Sequence, residues 1–137
     1  MILLDTNVLS ELIRPVPDPA VMSWLAEAEN SQLGTATPVM AELLLEVGAL
    51  PAGRRRDSLA HAVAAVLDSL AGRVWAFDEG AVAEYALIVV ERRELGAPIS
   101  TMDAQIAAIA RSREAAVATR NTAGLACSGL TLINPWT

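Results

Sequence analysis

Short apolar runs alternate along this chain with longer segments in which apolar residues recur every three or four positions. A short apolar run bounded by polar residues is typical of a buried strand, and the longer periodicity is typical of an amphipathic helix. The pattern predicts strands at residues 2–4, 32–36, 73–77, 115–118 and 130–133. It predicts helices at residues 8–13, 19–29, 37–48, 51–71, 79–95 and 100–113. Short strands separated by helices predict an α/β fold with a central, mainly parallel sheet and helices on both faces.

Length and composition favour one ordered domain that spans residues 1–137. Hydrophobic residues make up 53% of the chain, and the mean hydropathy of +0.40 argues against disorder. No apolar run is long enough to span a bilayer, and no basic segment precedes the N-terminal apolar residues, so neither a membrane span nor a secretory signal is expected. The single cysteine, Cys127, excludes an internal disulfide framework and a cysteine-ligated zinc site. We therefore expect a cytoplasmic protein.

The formal net charge is −6, with ten arginines and no lysine. Phosphate contacts dominate nucleic-acid affinity, so an acidic chain is not an obvious nucleic-acid binder. Clustered carboxylates that bind a divalent cation reverse the local charge, however, so the net charge does not decide the substrate. The basic run at residues 54–56 is read as a solvated helix entry, with RNA contact as the alternative. Arg14 and Arg120 lie closer in sequence to the candidate site and are better candidates for binding phosphate.

Three carboxylates have predominantly apolar neighbours. Asp5 follows the first predicted strand, at the end where open α/β sheets bind ligands, and simple capping of the next helix is the alternative. Glu42 lies in an almost wholly hydrophobic helix, either facing a partner or on an exposed stripe. Asp103 lies in the first turn of a helix that Ser100 caps, and a capping box alone would explain it.

Other catalytic signatures are missing from the sequence. The only histidine, His61, has no companions that would make it a metal ligand, and no nucleophile elbow or glycine-rich phosphate loop is present. A catalytic site in this chain would therefore consist of carboxylates. Such sites suit Mg²⁺ or Mn²⁺, which typically serve phosphoryl chemistry.

Several segments, in order over the whole chain, resemble the PIN-domain ribonucleases, specifically the VapC-like (FitB-like) toxins of type II toxin–antitoxin modules. The matching segments are Leu3-Leu4-Asp5-Thr6-Asn7-Val8-Leu9-Ser10-Glu11-Leu12, Ala41-Glu42-Leu43, Leu50-Pro51-Ala52-Gly53-Arg54-Arg55-Arg56, Pro98-Ile99-Ser100-Thr101-Met102-Asp103-Ala104-Gln105-Ile106-Ala107-Ala108-Ile109-Ala110, Ala118-Thr119-Arg120-Asn121-Thr122 and Leu132-Ile133-Asn134-Pro135-Trp136. Each segment alone is weak evidence for this resemblance, whereas the whole set in this order is highly specific for the family.

The resemblance implies a PIN-like α/β/α sandwich whose acidic pocket binds Mg²⁺ or Mn²⁺ and cleaves RNA internally. Asp5 and Asp103 are expected to ligate the metal, and Glu42 to bind it through water or to orient the attacking water. Side chains expected to support the metal or the substrate are Thr6, Asn7, Thr119 and Asn121. The resemblance also implies a small antitoxin partner, toxin homodimers and DNA binding only through the antitoxin.

One position departs from the family pattern. Many members have an acidic residue three positions after the asparagine that corresponds to Asn121, and this chain has Gly124 there, followed by Leu125. The difference leaves open a single metal, weak activity, or a PIN-like module that binds without catalysis. A phosphatase that uses Asp5 as its nucleophile is a further alternative, but the second acid expected at position 7 is Asn7 and no lysine is present.

Overall fold

The computed structural model describes residues 1–137 and contains five strands and seven helices. The strands are β1 (Ile2–Leu4), β2 (Leu33–Ala36), β3 (Val74–Trp75), β4 (Ala116–Ala118) and β5 (Leu132–Ile133). The helices are α1 (Thr6–Leu12), α2 (Pro19–Glu27), α3 (Thr37–Gly48), α4 (Arg54–Ser69), α5 (Glu79–Glu94), α6 (Thr101–Ser112) and α7 (Thr122–Leu125). None of these helices meets the length and hydropathy needed to cross a membrane.

The strands form one sheet in the order β3-β2-β1-β4-β5, and every neighbouring pair is parallel. The chain moves outward from β1 through β2 to β3 and then returns to the other side of β1 with β4 and β5. This reversal beside β1 is the switch point at which open α/β sheets bind ligands. The sheet and its flanking helices confirm the predicted α/β class.

The core lies between the central strands and the helices that cover them. Leu3 and Leu4 of β1 and Val117 of β4 are buried, which is typical of strands covered on both faces. Helix α6 is the most deeply buried helix, and residues 106–110 are all buried. Its alanines leave room for close packing against α5 and β4, so α6 is a fixed support for the residues at its N-terminus.

The element boundaries differ from the predicted ones in a few places. Helix α4 begins at Arg54 rather than at residue 51, since Gly53 precedes it with φ +154 and the segment before it is a loop. Helix α2 ends at Glu27, and a single 3₁₀ turn at Asn30–Gln32 precedes β2. Helix α7 was not predicted, because a four-residue helix has no detectable periodicity.

Candidate active site

The carboxyl ends of β1 and β4 and the N-terminal turns of α1 and α6 border an open pocket of about 640 Å³. Asp5, Glu42 and Asp103 all line this pocket, which we call the acidic pocket. Glu11 and Glu46 contribute two further carboxylates, and Arg14 and Arg120 also line it. The structure thus brings together the three carboxylates that the sequence singles out.

Asp5 both caps helix α1 and faces the acidic pocket. Its Oδ1 accepts a hydrogen bond from the Thr6 backbone N–H at 2.8 Å, and its Oδ2 accepts one from Thr119 Oγ1 at 2.7 Å. Burial raises the pKa of the Asp5 carboxyl above its usual value of 3.8, and the nearby charges of Asp103 and Glu42 raise it further. The two hydrogen bonds lower this pKa but do not outweigh burial. Asp5 therefore caps α1 and also lines the acidic pocket.

The raised pKa of Asp5 predicts a pH-dependent effect on stability in the presence of a chelator. Well below pH 3.8 the carboxyl is protonated in both the folded and unfolded states, so its ionisation does not change the free energy of unfolding. As the pH rises through the higher pKa of the folded state, ionisation favours the unfolded chain. We expect the melting temperature of the wild type to fall relative to that of Asp5→Asn as the pH rises from 4 to 7, on top of a pH-independent loss in the variant from the missing acceptor for Thr119. Thermal unfolding monitored by circular dichroism measures both proteins, and a difference between them that does not change with pH would contradict the raised pKa.

Glu42 is half-buried on α3 and faces α1. Its Oε2 accepts a hydrogen bond from Thr6 Oγ1, so the hydroxyl next to Asp5 contacts a second pocket carboxylate. Glu46, one helical turn further, is exposed. The sequence alone left open an exposed stripe for Glu42, whereas the structure directs its carboxylate toward Thr6 and the acidic pocket.

Asp103 makes only half of the predicted capping box. Its backbone N–H donates to Ser100 Oγ at 3.2 Å, but its carboxylate does not accept a hydrogen bond from the Ser100 backbone. The Asp103 Oδ2 atom instead faces Asn121 Nδ2 at 3.5 Å. Its carboxylate is therefore free of the helix cap and directed at the pocket, where the N-terminal end of α6 favours negative charge.

Thr119 connects the end of β4 to the acidic residues. It is fully buried, and its Oγ1 accepts hydrogen bonds from Asn7 Nδ2 at 3.3 Å and from the Asn121 backbone N–H at 2.9 Å while donating to Asp5. A hydroxyl with three partners has one rotamer available to it, so the Asp5 carboxylate is held in one orientation. The four supporting residues predicted from the sequence all lie at this pocket or directly behind it.

Gly124 is needed for the position of Asn121. A Cβ atom at residue 124 would lie 2.2 Å from Asn121 Nδ2 and 2.6 Å from Asn121 Oδ1. The Asn121 side chain folds over this glycine, accepts a hydrogen bond from the Gly124 backbone N–H at 3.3 Å and caps α7. The amide of Asn121 therefore occupies the space that a side chain at residue 124 would need, and it turns its other end toward Asp103.

A charge introduced at Asn121 tests this geometry. We expect Asn121→Asp to increase the affinity for Mn²⁺ by about tenfold, because an added carboxylate beside Asp103 strengthens a site for hard cations. The same change should lower the melting temperature in chelator, since like charges then lie close together. Calorimetric Mn²⁺ titration measures the first effect, with Asn30→Asp, outside the acidic pocket, as the matched control. Equal affinities for the two variants would contradict the prediction.

The donors around the acidic pocket suit a hard divalent cation. They are carboxylate, hydroxyl and amide oxygens, with no imidazole or thiolate among the lining residues. Asp5 is buried beside two like charges, and a cation there would relieve their repulsion. As the side chains stand, no three of them are grouped closely enough to form a ligand set, since Glu42 pairs with Thr6 and Asp103 faces Asn121. The oxygen donors of the pocket thus suit a divalent cation. In this structure the Glu42 and Asp103 carboxylates contact Thr6 and Asn121.

Several residues around the pocket were not identified from the sequence. Glu11 is buried at the acidic pocket, although at the end of an amphipathic helix it reads as a solvent-facing residue. Arg92 is buried and donates to three backbone carbonyls, two of them at the end of α7 and just beyond it. Trp136 lies against Arg120 with 5.0 Å between the guanidinium carbon and the ring centre. In the sequence, Trp136 stood out only as the last residue of a segment that resembles the family.

Comparison with known proteins agrees with this geometry. The sequence profile of the PIN domain family matches residues 2–125. The VapC ribonuclease Y4jK of Sinorhizobium fredii is 40% identical to this chain over 99% of its length and 98% of the relative. Toxin FitB of Neisseria gonorrhoeae is 36% identical over 99% of each. The solved structure of FitAB bound to an IR36 DNA fragment matches with a TM-score of 0.94 and 36% identity, over 100% of this chain and 96% of that one. The chain therefore belongs to the PIN domain family and is a relative of the VapC and FitB toxins.

Proposed function

We propose that this chain is the toxin of a type II toxin–antitoxin module and acts as a metal-dependent endoribonuclease. The main supporting observation is the convergence of Asp5, Glu42 and Asp103 on one pocket at the switch point of the sheet. The relative Y4jK is named a VapC ribonuclease, which supports the proposed cleavage of RNA. The relative FitB is named a toxin, which supports the proposed biological role.

In this proposal Asp5 and Asp103 would hold a Mg²⁺ or Mn²⁺ ion, and Glu42 would bind it through water or orient the attacking water. When bound, the ion lowers the pKa of the attacking water and offsets charge on the scissile phosphate. Thr119 and the Thr6 backbone keep Asp5 in one orientation through the two hydrogen bonds described above. Carboxylates fixed in this way need little reorganisation when the substrate binds.

Glu42 is the candidate acceptor for the proton of the attacking water. Its carboxylate is half-buried at the pocket and contacts the Thr6 hydroxyl, which limits its rotation. A base must lie within hydrogen-bond reach of the water whose proton it removes, and Glu42 lines the same pocket as the two proposed ligands. Thr6 thus links a metal-holding residue to the proposed base.

We also propose a small antitoxin partner, a toxin homodimer and contact with DNA only through the antitoxin, all in the cytoplasm. The solved FitAB structure bound to a DNA fragment supports an assembly of this kind. On this chain, large apolar side chains are exposed on α3 and α5 and are available for such contacts. They are Leu44, Leu45, Val82, Leu87 and Val90.

Incubation of the purified chain with total bacterial RNA tests the proposed reaction. We expect internal cuts, mapped by sequencing the new RNA ends, with Mg²⁺ or Mn²⁺ and none with EDTA. Asp103→Asn, purified in parallel, controls for contaminating nucleases. Cleavage that persists in EDTA or in Asp103→Asn would contradict the proposal, as would intact RNA with both cations.

A PIN-like module that binds without catalysis is the second candidate. The observations that favour it are the glycine at residue 124 and the fact that no three of the pocket carboxylates are grouped closely enough to form a ligand set. Titration with Mn²⁺ separates the two candidates. A nuclease should show a rise in melting temperature that depends on Mn²⁺ concentration, whereas a module that uses no metal should show none.

A further inference from the structure

The negative charge of the acidic pocket opposes the binding of RNA. Five of its lining residues are carboxylates, and only Arg14 and Arg120 are cationic. A polyanion is repelled by such a lining, and the bound cation compensates only at the carboxylates themselves. The two arginines are therefore the only cationic side chains of the pocket that can bind RNA phosphates directly.

Arg14 is held at the pocket by a buried carboxylate. The side chain of Glu11 is only 3% exposed, and its Oε1 accepts a hydrogen bond from Arg14 Nη1 at 3.0 Å. The other oxygen, Oε2, is buried and has no partner. A buried carboxylate is costly without a compensating cation, and Arg14 is the cation that Glu11 contacts. The side chain of Arg14 is 61% exposed, and its other N–H groups make no hydrogen bond within the chain.

Arg120 is positioned by an aromatic ring and a backbone hydrogen bond. Its guanidinium lies over the ring of Trp136, and its backbone N–H donates to Asn7 Oδ1 at 3.3 Å. It makes no ion pair, so every N–H group of its side chain is available to a ligand. The arginine directly follows Thr119, whose hydroxyl binds Asp5, and therefore lies beside the proposed reaction centre.

We propose that Arg120 and Arg14 bind two different phosphates of one RNA strand, with Glu11 and Trp136 as their positioning residues. This inference rests on the proposed ribonuclease function. Arg120 follows Thr119, which binds Asp5 at the start of α1, whereas Arg14 follows the end of α1, and the helical rise from Asp5 to Ile13 is about 12 Å. Arg120 therefore binds a phosphate next to the cut, and Arg14 binds a phosphate further along the strand. The acidic pocket thus requires an extended single strand that reaches the end of α1.

The dependence of cleavage on RNA length tests this arrangement. We expect Arg14→Ala to raise KM by about five- to tenfold on an oligonucleotide that extends several residues to both sides of the cut. The same variant should leave KM unchanged on an RNA shortened to the nucleotides around the cut, whereas Arg120→Ala should raise KM on both substrates. Arg93→Ala removes an exposed arginine outside the pocket and should change neither. An Arg14→Ala effect that is equal on both lengths, or absent on both, would overturn the proposal.

The salt dependence provides a second readout that a purely structural defect would not change. A contact to a single-stranded phosphate contributes about 0.7 to the slope of log affinity against log salt concentration. For the long RNA we expect this slope to fall by about that amount in Arg14→Ala and to remain unchanged in Arg14→Lys. An unchanged slope in Arg14→Ala would contradict the phosphate contact.

A double-mutant cycle tests the positioning role of Glu11. We expect Glu11→Gln to raise KM for the long RNA several-fold, although it removes a negative charge from the pocket, because the ionic partner of Arg14 is lost. In the Arg14→Ala background the same change should no longer raise KM. A rise in both backgrounds would mean a structural role only, and a lower KM would mean that Glu11 merely repels RNA. If the wild type cleaves neither RNA, the nuclease assignment fails together with this inference, whereas cleavage with unaltered variants removes this inference alone.

Discussion

Asp103→Asn is expected to lower the rate of RNA cleavage by at least about a hundredfold while the protein stays folded. The loss should be large because the carboxylate lies free at the pocket, with only a 3.5 Å contact to Asn121, and has no structural partner that competes for it. Stability should change little, because the Ser100 cap uses the backbone N–H of residue 103 and not its side chain. Initial cleavage rates and thermal unfolding of the same preparations measure both effects.

Glu46→Gln is the matched control for this substitution. Glu46 lines the same pocket and carries the same charge, but it is exposed and forms no hydrogen bond with the proposed ligands. We expect its variant to retain cleavage within a few-fold of the wild type. Equal losses in Asp103→Asn and Glu46→Gln would mean that the pocket acts through its total charge and not through specific ligands.

Arg92→Met is expected to lower the free energy of unfolding by about 3 kcal/mol. The guanidinium of Arg92 is buried and donates to the carbonyl oxygens of Ala97, Gly124 and Ala126 at 2.6, 2.9 and 3.0 Å. Methionine retains much of the side-chain volume but leaves these carbonyls without their donor. Since two of the three belong to the end of α7 and the residue after it, the change should also disturb the helix that Asn121 caps.

Urea denaturation of Arg92→Met and of Arg93→Met measures this effect. Arg93 is the exposed neighbour on the same helical turn, so its replacement should cost less than about 0.5 kcal/mol. Similar midpoints for the two variants would contradict the role assigned to the buried guanidinium. Weaker cleavage by Arg92→Met at a temperature where it is fully folded would show that the hydrogen bonds of Arg92 also help to position the residues of the acidic pocket.

Periodicity was sufficient to predict the sheet and six of the seven helices. The first apolar run and its polar end at Asp5 marked β1 and the edge where ligands bind, because parallel strands bring their carboxyl ends together. Glu42 and Asp103 were found by their apolar neighbours. Their convergence could be expected only from the resemblance, because distances between helices are not encoded in local patterns.

The parts that could not be predicted depend on tertiary contacts. Glu11 is charged and lies at the end of an amphipathic helix, and only the packing of the pocket explains its burial. The relation between Gly124 and Asn121 is a steric exclusion that no sequence period reveals. Arg92 is buried because it bonds to carbonyls 32 and 34 residues away in sequence, which no local pattern reveals.

The central claim is that Asp5, Glu42 and Asp103 act on one cation that is used to cleave RNA. The most direct test is the initial rate of cleavage of one RNA as a function of Mn²⁺ concentration, for the wild type and for Glu42→Gln. A shared cation predicts that the variant reaches its half-maximal rate at about tenfold higher Mn²⁺. Curves with the same half-saturating concentration, or cleavage that does not depend on Mn²⁺, would contradict the claim.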